Sequence, residues 1–141
     1  MYENYTRQAL PEKEYRALLG SALCVFNSNS AFIIENILNF DEKKQFDWYE
    51  LMDRTSGNLK SSIMETITKV SNSKISILFF SLVNKRNRII HSFQITDTDG
   101  KQKLATKDKS NKQYVITEQF LQEFIKENEE LSGMLHSLRG F

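Results

Sequence analysis

Arg86-Asn87-Arg88-Ile89-Ile90-His91 is the stretch of this chain whose residue types and spacing could do chemistry. Arginine keeps its charge at any physiological pH and grips a phosphate through paired hydrogen bonds. Histidine takes or gives a proton near neutral pH. Asn87 adds an amide able to orient an imidazole or a phosphate oxygen. Cleaving RNA through its own 2′-hydroxyl needs a base to remove that proton and an acid to protonate the leaving 5′-oxygen. It also needs a cation to hold the negative phosphate. These residue types could meet those needs without a metal.

Geometry limits what one copy can do. At about 100° per residue, Asn87 and His91 share a helix face, whereas Arg86 and His91 are about 140° apart. Either the long arginine bends around the helix, or two copies face each other. A symmetric dimer would bring two histidines and two arginines to one cleft. The same residues also have a structural reading, with His91 capping a helix end and Arg86 satisfying a buried carboxylate. Glu35, near a polar break in the first helix, is the candidate counter-charge.

The elements that must position this segment follow from apolar spacing. Pro11, Glu12 and Glu14 open a first helix after a loose arm over residues 1–10. Tyr15, Leu18, Leu19, Ala22, Leu23, Phe26, Ile33, Ile37 and Phe40 carry it to about Asn39, with Asn27-Ser28-Asn29-Ser30 as a kink or polar groove. A second helix covers Lys43 to Arg54, and a third carries Leu59, Ile63, Ile67 and Val70 after the break at Thr55–Asn58. With Ser73 as N-cap, a fourth runs from about Lys74 to Ile95. Its apolar stripe passes through Ile75, Phe79 and Leu82 and then meets Arg86, where a core face calls for an apolar residue. Thr96 to Asn111 is polar, with a turn at Asp99-Gly100. Gln94–Thr96 and Gln113–Ile116 have strand-like character, so a short hairpin fits there. Thr117 caps a last helix from Glu118 to about Leu138. The expected fold class is all-α, a four- to five-helix bundle with this polar, hairpin-like insert before the last helix.

Bulk numbers agree with one domain spanning residues 1–141: 40% of the residues are hydrophobic and 26% charged, with ten Phe, five Gly and one Pro. One cysteine, Cys24, cannot form an internal disulfide, reads as a core residue, and suits a cytoplasmic protein. The N-terminus shows no signal-peptide apolar region, and no membrane span is expected. The net charge is +1, so the whole surface does not attract nucleic acid. Charge is nevertheless segregated: Lys101–Lys112 holds five Lys and one Asp, while Glu118–Glu130 holds five Glu and one Lys. Lys85, Arg88, Lys101 and Lys103 are the candidate RNA contacts. No cysteine, histidine and acid cluster has zinc spacing, so no metal and no cofactor is expected. Asp97-x-Asp99-Gly100 aligns poorly with a calcium loop and reads as a turn. His136 is a surface or edge residue of the last helix. Trp48 and Tyr49 read as core or interface.

The motif Arg86-Asn87-x-x-x-His91, late in an apolar helix of a small helical chain, resembles the signature of HEPN-domain proteins. Thr55-x-Gly57-x-Leu59 before a short helix adds to the likeness. The resemblance implies a metal-independent endoribonuclease of toxin–antitoxin or antiviral-defence type. It implies a homodimer with the motif helices paired across a shared cleft. Arg86 and His91 would be catalytic, Asn87 the polar residue beside the arginine, RNA the substrate, and an antitoxin or other regulatory protein a further partner. HEPN toxins silenced by adenylylation carry a tyrosine two residues after the histidine. Phe93 stands there, so that control is not expected. The alternative is a non-catalytic HEPN-like module that binds a nucleotide or a protein.

Overall fold

The computed structural model describes residues 2–140. Helix α1, Lys13–Asn39, is the spine, and α5, Glu118–Arg139, packs against it more extensively than any other element. Between them in sequence come α2 (Trp48–Asp53), α3 (Lys60–Ile63), a π-helical turn (Met64–Thr68) and α4 (Lys74–Ile90). Phe26 of α1, Phe79 of α4 and Phe124 of α5 meet at the centre. Phe26 lies 6.0 Å from Phe79 and 6.2 Å from Phe124, ring centre to ring centre, and both pairs are stacked. Such pairs add about 0.5–1.5 kcal/mol beyond area burial. The polar run Asn27–Ser30 does not break α1. Asn29 is buried instead, and its amide donates to the Asn128 backbone oxygen at 2.8 Å and side-chain oxygen at 2.9 Å, locking α1 to α5.

The all-α expectation is corrected by a three-stranded antiparallel sheet between α4 and α5. Its strands are β1 (Phe93–Thr96), β2 (Gln102–Lys107) and β3 (Gln113–Val115), in the order β1-β2-β3. The two outer strands fall where strand-like character is legible. The central one, Gln102-Lys103-Leu104-Ala105-Thr106-Lys107, is lysine-rich and carries few β-formers. It forms because both neighbours pair with it: Phe93 opposes Ala105, which in turn opposes Val115. Leu104 packs partly against the core and Ala105 is buried. Two turns make this possible. Gly100, at φ 79°, closes Asp97–Lys101, and Asn111, at φ 66°, closes Asp108–Lys112.

Helix boundaries moved for local reasons. The chain over 43–47 is not helical, because Lys44 takes a left-handed conformation and α2 starts only after the Asp47 side chain accepts from the Glu50 backbone N–H. Ser73 is the N-cap residue of α4, as expected, but its side chain makes no capping bond, and the Asn72 side chain accepts from the Lys74 N–H at 2.9 Å instead. Helix α4 stops at Ile90 rather than Ile95, since His91 leaves the helical range at φ −94°, ψ 19° and the Ser92 hydroxyl donates to the Ile89 carbonyl at 2.6 Å. The N-terminal arm is held down: the Arg16 guanidinium donates to the Pro11 carbonyl, to Glu3 and to the Tyr5 hydroxyl.

The expectation that no segment suits a membrane is also corrected. By length and composition α1 could cross one, with a mean hydropathy of 1.6 over its best window. The four polar residues 27–30 do not offset its surrounding Leu, Ile and Phe.

Tyr15 ties the sheet to the helices. Its buried hydroxyl donates to the Ile116 carbonyl at 2.6 Å and accepts from the Leu104 N–H at 3.1 Å. Tyr15→Phe would strand both backbone groups, and a loss of about 1–3 kcal/mol in denaturant unfolding is expected. Burial pushes the Tyr15 phenol above its ordinary value, a shift partly opposed by the Leu104 hydrogen bond. A raised folded pKa contributes stability that is full below the unfolded value of about 10 and declines as pH rises through the folded value. Urea midpoints should therefore fall more steeply above pH 10 for wild type than for Tyr15→Phe.

Candidate functional site

Helix α4 carries the motif with two distinct faces. Ile75, Phe79, Leu82, Val83 and Ile89 are buried against the bundle. Arg86 falls on this side, half-buried, with its guanidinium 5.1 Å from the centre of the Phe26 ring. Its Nε is buried and has no hydrogen-bond partner. Among the described residues no carboxylate forms an ion pair with Arg86. The described ion pairs use other cations, and Glu35, the expected counter-charge, is exposed on α1. A cation over an aromatic face gains up to about 2 kcal/mol when desolvated. It does not supply the donor–acceptor bonds that a guanidinium fork can make. The site thus holds a positive charge with unused hydrogen-bonding capacity.

The opposite face of α4 is open. Ile77, Asn84, Arg88 and His91 are exposed there, and half-buried Asn87 lies at its flank. His91 is the C-cap residue, its N–H donating to the Asn87 carbonyl at 2.9 Å, so its side chain is displayed at the helix end. The C-cap position is the one the structural reading expected for His91; the buried carboxylate that reading required for Arg86 is not found among the described residues. The fold brings Asn87, Arg88 and His91 to one side of the helix. Arg86 points about 140° away from His91 and about 100° away from the neighbouring Asn87, as helical geometry imposes.

The expected RNA-contacting cations differ in availability. Lys85 is bonded to Glu127 at 2.5 Å, and Lys101 lies 3.3 Å from Glu12. Lys103 is gripped by Asp97 at 2.8 Å and Asp99 at 3.1 Å. That grip raises the Lys103 ammonium above its ordinary value, chiefly through the Asp97 hydrogen bond. Lys103 also lowers Asp97, and it lowers Asp99 second to the Lys101 backbone N–H. These lysines brace the Asp97–Lys101 turn and neighbouring elements. Arg88 is in no ion pair among the described residues and points outward.

Two features escaped sequence reasoning. The Asn29–Asn128 pair lies 99 residues apart in sequence, and only buried asparagines on apolar helix faces hint at it. A cleft beside Arg88, walled by β2, β3 and the start of α5, depends on the unforeseen central strand. Cys24, expected in the core, is exposed on α1, because the helix turns Ala22 and Phe26 inward instead.

Replacing Arg86 separates a structural from a ligand-binding role. Breaking a buried ion pair costs about 3–5 kcal/mol. Arg86→Met keeps the stem's packing and removes a charge in no ion pair among the described residues, so unfolding should lose no more than the cation–π contact, about 2 kcal/mol at most. A loss of several kcal/mol would reveal an acidic partner. Compared with protein-family models, with curated proteins and with solved structures, this chain matches none.

Proposed function

We propose that this chain is a HEPN-like, metal-independent endoribonuclease acting as a homodimer. The observation that carries the reading is the Arg86 guanidinium, held against Phe26 with a buried, unpartnered Nε and in no ion pair among the described residues. A charge kept half-buried without a counter-ion is costly unless an anion arrives to use it. A phosphodiester fits the planar fork. In this reading Arg86 anchors the phosphate, Asn87 orients it or the imidazole, and His91 moves the proton. Arg88, exposed and in no ion pair among the described residues, guides the RNA strand. Arg86 and His91 diverge on one helix. Two copies of α4 meeting across a two-fold axis through their open faces would bring the two His91 side chains together, and Arg86, on the bundle side, would swing around its helix to reach the shared phosphate. The products carry a 2′,3′-cyclic phosphate and a 5′-hydroxyl. A cytoplasmic toxin or antiviral-defence role, with an antitoxin or regulatory protein as partner, belongs to the same proposal.

The same divergence favours a second reading, a non-catalytic HEPN-like module that binds a nucleotide or a protein. The two separate in one assay. End-labelled RNA incubated with wild type in EDTA should be cut. His91→Ala changes an exposed residue, so it should fold normally and cut at least about 100-fold more slowly. Abolition of wild-type cleavage by EDTA would overturn the metal-independent chemistry. Equal cleavage by His91→Ala would remove His91 from the mechanism, and RNA binding without cleavage would favour the module.

A further inference from the structure

The cleft of about 320 Å³ beside Arg88 has a composition that selects a ligand. Ligand pockets begin at about this volume. Arg88 of α4 lies on its wall, and Glu123 of α5 lines it too. The two opposite charges share one cleft, yet form no ion pair with each other among the described residues. The Glu123 carboxylate accepts from the Gln119 amide at 3.2 Å and keeps oxygen lone pairs to spare. Tyr114 and Phe120 supply aromatic surface, and Thr106 a hydroxyl. Tyr114 is steadied by its hydroxyl on Asp108 at 3.3 Å and by the Lys112 ammonium, 5.3 Å from its ring centre.

A ligand that satisfies all of this carries an anion at one end, a flat ring in the middle and N–H donors at the far edge. A nucleotide is such a ligand, and unpaired bases are commonly read by aromatic stacking together with hydrogen bonds to their Watson–Crick edge. Among the four bases, only guanine presents two adjacent donors there, N1–H and the N2 amino group, which match the two oxygens of one carboxylate. We propose that this cleft is a guanine-nucleotide subsite, with Glu123 reading the base edge, Tyr114 and Phe120 flanking the ring, and Arg88 holding a phosphate. Its position follows from α4 itself. Arg88 and His91 are three residues apart, on one side of the helix, and such residues are neighbours. A guanosine seated here therefore places its phosphate next to His91. That last step rests on the ribonuclease reading; the base recognition does not.

The test has two arms, because free nucleotide and RNA offer the same chemistry. In the first, GMP, AMP, CMP and UMP are titrated against the full chain by calorimetry. GMP should bind roughly ten- to a hundred-fold more tightly than the others, and Glu123→Gln, an exposed substitution, should erase that preference. Tyr114→Ala should weaken all four. Equal binding of the four nucleotides by wild type, or an unchanged GMP preference in Glu123→Gln, overturns the subsite whatever RNA cleavage shows. In the second arm, cut positions are mapped on a mixed-sequence RNA. Cleavage beside guanosine in wild type, spread over other bases in Glu123→Gln, places the subsite in RNA recognition. Selective GMP binding without any RNA cleavage leaves the guanine site standing and removes the ribonuclease reading. Cleavage with no base preference in wild type overturns the placement of the bound guanosine beside His91, while the nucleotide titration alone decides the subsite.

Discussion

The ring of Phe26 stacks on Phe79 and Phe124 and also lies beneath the Arg86 guanidinium. One side chain of α1 therefore fixes where α4 and α5 meet and where the motif's cation rests. Packing at this density leaves little freedom to slide α4, since a shift would break stacked contacts and expose the buried Nε. The cross-links between these three helices cluster around this point. Asn29 and Asn128 bolt α1 to α5 close by, one turn beyond Phe26 and Phe124 in their respective helices, and Lys85–Glu127 joins α4 to α5 next to the arginine.

The insert between α4 and α5 works differently. Its charge looks, in sequence, like a basic face for nucleic acid. In the fold Lys101 and Lys103 are held by the protein's own acids. Lys103 is shared by two aspartates, Lys101 reaches Glu12, and the Lys107 ammonium donates to the Asn111 side chain of the second turn. Screened, paired lysines on a surface add little long-range attraction. Their value lies in holding two tight turns, so that three short strands with modest β-propensity stay together against Tyr15. Outward field near the motif comes from Arg88 more than from the lysine count.

How much of this was legible depends on how local the cause was. Helices α1 and α5 declared themselves through spacing, and Thr117 as cap marks the start of α5 by chemistry that a sequence carries openly, while Gly140, left-handed at φ 85°, ends it. The anomaly at Arg86 was equally open, because an arginine stands in an apolar stripe. What answers it was not: an aromatic face 60 residues away, in place of the carboxylate that charge balance suggests. Strand β2 was illegible for a related reason. Gln102-Lys103-Leu104-Ala105-Thr106-Lys107 has little intrinsic strand preference, and its conformation is imposed by partners on both edges. The end of α4 was missed because Phe93 and Ile95 continue an apolar pattern that the backbone abandons at His91.

Cys24 sits alone and exposed on α1, a helix whose sequence neighbours Ala22 and Phe26 are buried. Being the single thiol of the chain, it can be oxidised to a disulfide only with another molecule. A covalent dimer seen on a non-reducing gel would then record an encounter through α1, with the two α4 helices playing no part. The same thiol offers one defined attachment point for a fluorophore or spin label, set on the rigid spine rather than on the sheet. Distances measured between two such labels would report how a pair of these chains is oriented, without disturbing any residue of the motif.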